Sequence, residues 1–175
     1  MVDIILLRRG PEHLPASAVL LGIVVALEVI LYSIGDRLFI QPVAPQLAAT
    51  SFAQMVVGAL LTLLTFRIAL HLAGKPERFI QTMIAMFAAN TMAIPALPLL
   101  GALLQYTGKP GGATAPLLLL LMCAVVGVWM LAVLVHIVKS AFEWAWLQAA
   151  VLVIASHIGI AIVLGLIFGG SPKPS

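Results

Sequence analysis

Charge is what this sequence has least of. Only 9% of its 175 residues are Asp, Glu, Lys or Arg, against roughly 25% in a soluble globular domain. A water-facing surface needs those charges, so a soluble fold is excluded. Cysteine is nearly absent as well. The one thiol, Cys123, lies inside an apolar run, so neither an intrachain disulfide nor a thiolate metal site is expected. The chain also has no H-E-x-x-H pair, no intramembrane protease motif and no glycine loop to cradle a phosphate. No two histidines fall at matching depths for a haem. These absences predict no catalytic residue, no metal site and no cofactor: the chain is read as not an enzyme.

The basic excess is small and scattered. Formal net charge is +3, and nine Lys and Arg spread over loops and tails make no patch for a phosphate backbone. A nucleic-acid partner is not expected. What the chain has in abundance is apolar residues, 63% of the total, in five long blocks. A bilayer core about 30 Å thick needs about 20 such residues in a helix. The predicted fold is therefore an all-α polytopic bundle of five transmembrane helices, with spans at about 15–35, 50–72, 79–104, 114–138 and 142–168. Residues 1–14 form a short N-terminal segment, and 170–175 a polar, disordered tail. Ile4 to Leu7 is too short for a signal-peptide core, and Arg8 and Arg9 follow it rather than precede it.

Proline and glycine punctuate the connections. Asp36-Arg37 followed by Gln41-Pro42-Val43-Ala44-Pro45 is expected to break the first, Gly74 to Arg78 the second, and Gly108 to Gly112 the third. The fourth, Lys139 to Glu143, is very short and implies a tight helical hairpin. Lys and Arg are unevenly shared between the two sides. Arg8, Arg9, Arg67, Lys75, Arg78 and Lys139 fall on the N-terminal side, and Arg37, Lys109 and Lys173 on the other. That bias predicts a cytoplasmic N-terminus and an exterior C-terminus. Trp144 and Trp146 are read as interfacial belt residues, Tyr106 as their counterpart at the far end of the third span, and Trp129 as packed in the bundle interior.

Ionisable groups inside hydrocarbon cost about 2.5–3.5 kcal/mol on insertion scales and are candidate sites for that reason. Glu28 is the sharpest, ~20 Å along the first span, and His157 lies at ~22 Å on the fifth by the same helical rise. Tyr32 follows Glu28 by one turn on the same face. A Glu28–His157 hydrogen bond requires the first and fifth spans to be adjacent. Two readings stay open: a proton or cation site, or a neutral carboxylic acid bonded to Tyr32 or a neighbouring helix. Arg67, one turn before His71, is read as snorkelling to the interface, and His136 as interfacial. In the third span, Asn90, Pro95 and Pro98 predict a kink, because each proline removes a backbone donor. Broken helices of this kind build substrate sites in transporters, although plain structural kinks are also tolerated. Ser51, Gln54, Gly58, Thr62 and Thr65 form a small and hydroxyl stripe on the second span. Ala155-x-x-x-Gly159 and Gly165-x-x-x-Gly169 repeat the small-xxx-small pattern on the fifth. Gly58, Thr62, Gly159 and Gly165 are the expected helix-packing positions.

The second half of the chain resembles the Yip family, five-span membrane proteins named for interacting with Ypt/Rab GTPases, including its bacterial members. Three features carry the likeness: His71-Leu72-Ala73-Gly74-Lys75 followed by Phe79-Ile80-Gln81-Thr82; a Trp129-bearing span joined through Lys139 and Ala141 to the last helix; and five spans. The family's paired glycines appear here as Ala73-Gly74, and its long N-terminal region shrinks to about 14 residues. The resemblance implies a non-enzymatic protein of a bacterial inner membrane that acts through a membrane-protein partner or a second copy of itself. A small transporter or channel subunit using Glu28, Tyr32, Asn90 and His157 is the competing expectation. An accessory subunit of a larger membrane complex is the third.

Overall fold

The structure is a computed structural model that describes residues 11, 14–43, 52–107 and 114–168. Arg8, Arg9, Pro45, Ser51, Lys109, Gly169 and Lys173 lie outside the described residues, as do the N-terminal decapeptide, the 108–113 connection, the tail and the side chain of Tyr106. The described residues contain no strand, and five helical segments are long and apolar enough to cross a membrane. The chain is an all-α, multi-pass membrane protein.

Helix α1 (Ala18–Gly35) starts at Ser17, whose hydroxyl accepts the Leu20 N–H at 3.2 Å and so caps the first turn. Asp36 and Arg37 do not break the first connection as expected. They belong to a π-helical turn, Asp36–Ile40, that continues the span. Helix α2 (Phe52–Leu72) ends at Gly74, where φ is +71°. The Lys75 N–H then donates to Leu70 O at 2.9 Å and the Gly74 N–H to His71 O at 3.0 Å. These bonds close a Schellman cap, which glycine adopts without Cβ strain.

The third span is broken. Helix α3 (Phe79–Ala93) passes through a 3-10 turn, Ile94–Ala96, into α4 (Leu97–Thr107). Pro95 has no N–H for the carbonyl of Thr91, and the Ile94 N–H takes that carbonyl instead. Pro98 sits in the first turn of α4, where a missing donor costs nothing. Helix α5 (Thr114–Phe142) runs further than the sequence implies and absorbs Lys139 to Phe142. Only Glu143, Trp144 and Ala145 separate it from α6 (Trp146–Phe168).

Packing is organised around α3. It touches α1, α2 and α5, whereas α6 leans on α5 and α2. All residues from Thr82 to Ala89 are buried, as expected of a helix enclosed on every face. Phe66 and Leu70 of α2, Val133, Leu134, Val135, Ile137 and Val138 of α5, and Ala149 and Val153 of α6 complete that core. Each of these residues lies in the half of its span nearest the α2–α3 and α5–α6 connections. Trp144 packs on this core, with its ring 4.6 Å from that of Phe142, while Trp146 is exposed. Trp129 faces outward, 38% exposed, rather than into the bundle.

The two connections at this end are tied by charge. Glu143 adopts a left-handed φ of 55°, and the Trp144 N–H returns to Lys139 O at 3.2 Å. The Glu143 carboxylate is paired with Lys75 and, at 2.6 Å, with Arg78. Arg78 also donates to the carbonyls of Ser140 and Ala141, both at 3.2 Å, and so caps the end of α5. Lys75 first, and Arg78 second, hold the Glu143 carboxyl below the usual carboxylate range. At the opposite end, close approach is steric. A Cβ on Gly101 of α4 would collide with the backbone carbonyl of Phe39, and one on Gly35 would meet Leu97 Cδ1 at 2.5 Å.

Gly101→Ala is expected to destabilise the detergent-solubilised protein by about 1–3 kcal/mol, the usual cost of overpacking. Gly159→Ala, at a position with nothing within 4 Å, is expected to leave the thermal midpoint unchanged. For Glu143 the sign is fixed by its lowered pKa. Its pairing stabilises the fold above the ordinary carboxylate range and is lost as pH falls through the lowered folded value. The thermal midpoint of wild type should therefore drop more steeply on acidification than that of Glu143→Gln.

Candidate functional site

Four helices surround a cleft of about 520 Å³ in the other half of the bundle. Helix α1 contributes Glu28, Val29 and Tyr32; α3 contributes Phe87 and Asn90; α6 contributes His157 and the Ile160–Gly165 face. From α2 come Gln54, Met55, Gly58, Ala59 and Thr62. Their three- and four-residue spacing places that stripe on one helical face. All four candidate polar residues, Glu28, Tyr32, Asn90 and His157, thus border one cavity.

Their bonding differs from the expected pattern. Glu28 Oε1 accepts a hydrogen bond from Asn90 Nδ2 at 3.2 Å. His157 Nδ1 instead lies 2.8 Å from Val153 O of its own helix. The reason is the position of α3, which packs along α1 and supplies Asn90 at the depth of Glu28. The fifth span does not take that place. Glu28 Oε2 is buried and has no partner among the described residues. A buried polar atom without a partner carries its full desolvation cost. Tyr32, 40% exposed, reaches the cleft from one turn further along α1.

The α2 wall is held by its own bonds. Thr62 Oγ1 donates to Gly58 O of its own helix at 2.9 Å. Ser33 Oγ donates to Val29 O at 2.6 Å and approaches Met55 Sδ at 3.0 Å, linking α1 to α2. Gln81 Nε2 donates to Leu14 O at 2.7 Å and fixes the entry to α1 on α3. Arg67 does not approach Glu28. Its guanidinium stacks over the Phe79 ring at 5.4 Å, at the other end of α2.

The expected packing glycines divide. A Cβ on Gly58 would stand 3.5 Å from Leu164 Cδ1, ordinary contact between α2 and α6. A Cβ on Gly159 or Gly165 would meet nothing within 4 Å among the described residues, so neither serves close packing there. The glycines that do permit close approach, Gly35 and Gly101, carry no small-xxx-small signature. The only hint of Gly101 in the sequence is its position one turn after Pro98, on a helix restarted by proline.

Among the described residues no group of three or more His, Cys, Asp or Glu side chains could hold a metal ion. The site's chemistry is therefore one carboxyl, one imidazole, amides and hydroxyls around an apolar-walled cavity. Such a set can exchange hydrogen bonds with a ligand or hold a proton or a small cation. Comparison with protein-family models, curated proteins and solved structures gives no match for the chain.

Proposed function

We propose that this is a small transporter or channel subunit, without enzymatic activity, whose cleft admits a proton or a small cationic solute at membrane depth. One observation carries the reading: the buried, unpartnered Glu28 Oε2 at the edge of a 520 Å³ cavity. Ionisable side chains inside a membrane mark ion or substrate pathways by default. The broken third span adds to the case, because discontinuous helices line such sites in transporters. Orientation in this proposal follows the charge bias. The end bearing Arg67, Lys75, Arg78 and Lys139 faces the cytoplasm of a bacterial inner membrane, and the C-terminus faces the exterior.

In sealed proteoliposomes loaded with a pH- or cation-sensitive dye, wild type is expected to carry flux. Glu28→Gln should lose most of it, while Gly159→Ala keeps it. Absent flux in wild type, or full flux in Glu28→Gln, contradicts transport.

A second reading, a Yip-like scaffold that works through a membrane partner or a second copy, is favoured by one different observation. Ala155 and Gly159 lie on an exposed face of α6, and Gly159 has open space beside it. Small residues on such a face let another helix approach closely. A chain that sediments as a monomer in mild detergent, and recovers no partner from native membranes, would contradict this reading.

A further inference from the structure

A second cavity, of about 490 Å³, lies at the clasped end of the bundle and is lined by Arg78, His136, Lys139, Ser140, Glu143 and Trp144. It is separate from the cleft around Glu28, and the transport reading makes no use of it. We propose that this pocket binds the phosphate of an anionic phospholipid headgroup.

The position fits that ligand. Lys139 and Ser140 occupy the last turn of α5, and Trp144 the connection that follows. This is where the span leaves its apolar stretch, the depth at which headgroups and amphipathic indoles meet. Basic pockets between transmembrane helices suit phosphate headgroups for the same reason.

The donors fit as well. The Arg78 guanidinium is already held by the Ser140 and Ala141 carbonyls and by Glu143. Those bonds fix the guanidinium at the pocket wall, which lowers the entropic cost of binding. Lys139 is exposed and makes no ion pair among the described residues. His136 and Ser140 line the same space.

The acid in the lining does not oppose an anion outright, because Lys75 and Arg78 both pair with Glu143. Lys139 adds a further positive charge to the lining, one that no ion pair among the described residues takes up. Ser140 and Ala141 carbonyls at the helix end would repel a phosphate if bare. Arg78 covers both.

The test uses the delipidated full chain in mild detergent, titrated separately with short-chain phosphatidylglycerol, short-chain phosphatidylcholine and inorganic phosphate. Binding is followed by native mass spectrometry and by the rise in thermal midpoint that ligand binding produces. Phosphatidylglycerol is expected to bind and stabilise, and the other two are not. Lys139→Gln should weaken phosphatidylglycerol binding about fivefold, the worth of one basic contact at a membrane surface. Arg37→Gln, at the opposite end of the bundle, should leave it unchanged. Equal binding of phosphatidylcholine overturns the proposal, as does undiminished binding in Lys139→Gln or an equal loss in Arg37→Gln. Stabilisation by inorganic phosphate with the same Lys139 dependence would reassign the pocket to a free anion.

Discussion

The bundle depends on the burial of one short stretch, Thr82 to Ala89 of α3. Lipid tails are as apolar as leucine, so helices inside a membrane gain no hydrophobic free energy by meeting one another. Shape and polar contacts must do that work. A helix enclosed on all sides maximises van der Waals contact, and α3 supplies the surface on which α1, α2 and α5 converge. Its neighbours leave their other faces to lipid: Leu117, Leu118, Leu121 and Val125 of α5 are all exposed. That division explains why a chain with so few charges needs no water-facing surface.

The two ends of the bundle are built differently. Near the α2–α3 and α5–α6 connections, a continuous core and the Glu143–Lys75–Arg78 ion pairs close the structure. Farther along, α3 breaks at Pro95 and the helices stand around an apolar-walled cleft that holds Glu28, Asn90 and His157. The clasp matters to the cleft because it fixes where α3 starts, and so the depth at which Asn90 meets Glu28.

Much of the architecture was legible in residue type alone. Five apolar blocks separated by Pro and Gly gave five spans, because hydrocarbon thickness sets helix length directly. Pro95 marked the break for an equally local reason, the loss of one backbone donor. Neighbour relations were not legible. Glu28 and His157 share a depth, but depth does not say which helix supplies the partner of Glu28, and α3 does. The Asp36-Arg37 pair misled because a charged dipeptide near a span end reads as a loop, whereas a π-helical turn keeps it in the helix. Gly35 and Gly101 are not legible because their value comes from what stands opposite them, the Leu97 side chain and the Phe39 carbonyl, which no local pattern records. Glu143 and Arg78 lie 65 residues apart, and only the meeting of two hairpin connections makes them partners.

The claim on which all of this rests is that α3, and not α6, lies against α1 at the depth of Glu28. Cysteine pairs scanned along these helices in a Cys123→Ser background would decide it in native membranes. One set would join positions 21, 24, 25 and 28 of α1 to positions 82–90 of α3, and the other would join them to positions 149–157 of α6. Oxidation should link α1 to α3 in at least one register and leave every α1–α6 pair open. Disulfides between α1 and α6 around position 157, with none between α1 and α3, would contradict the arrangement.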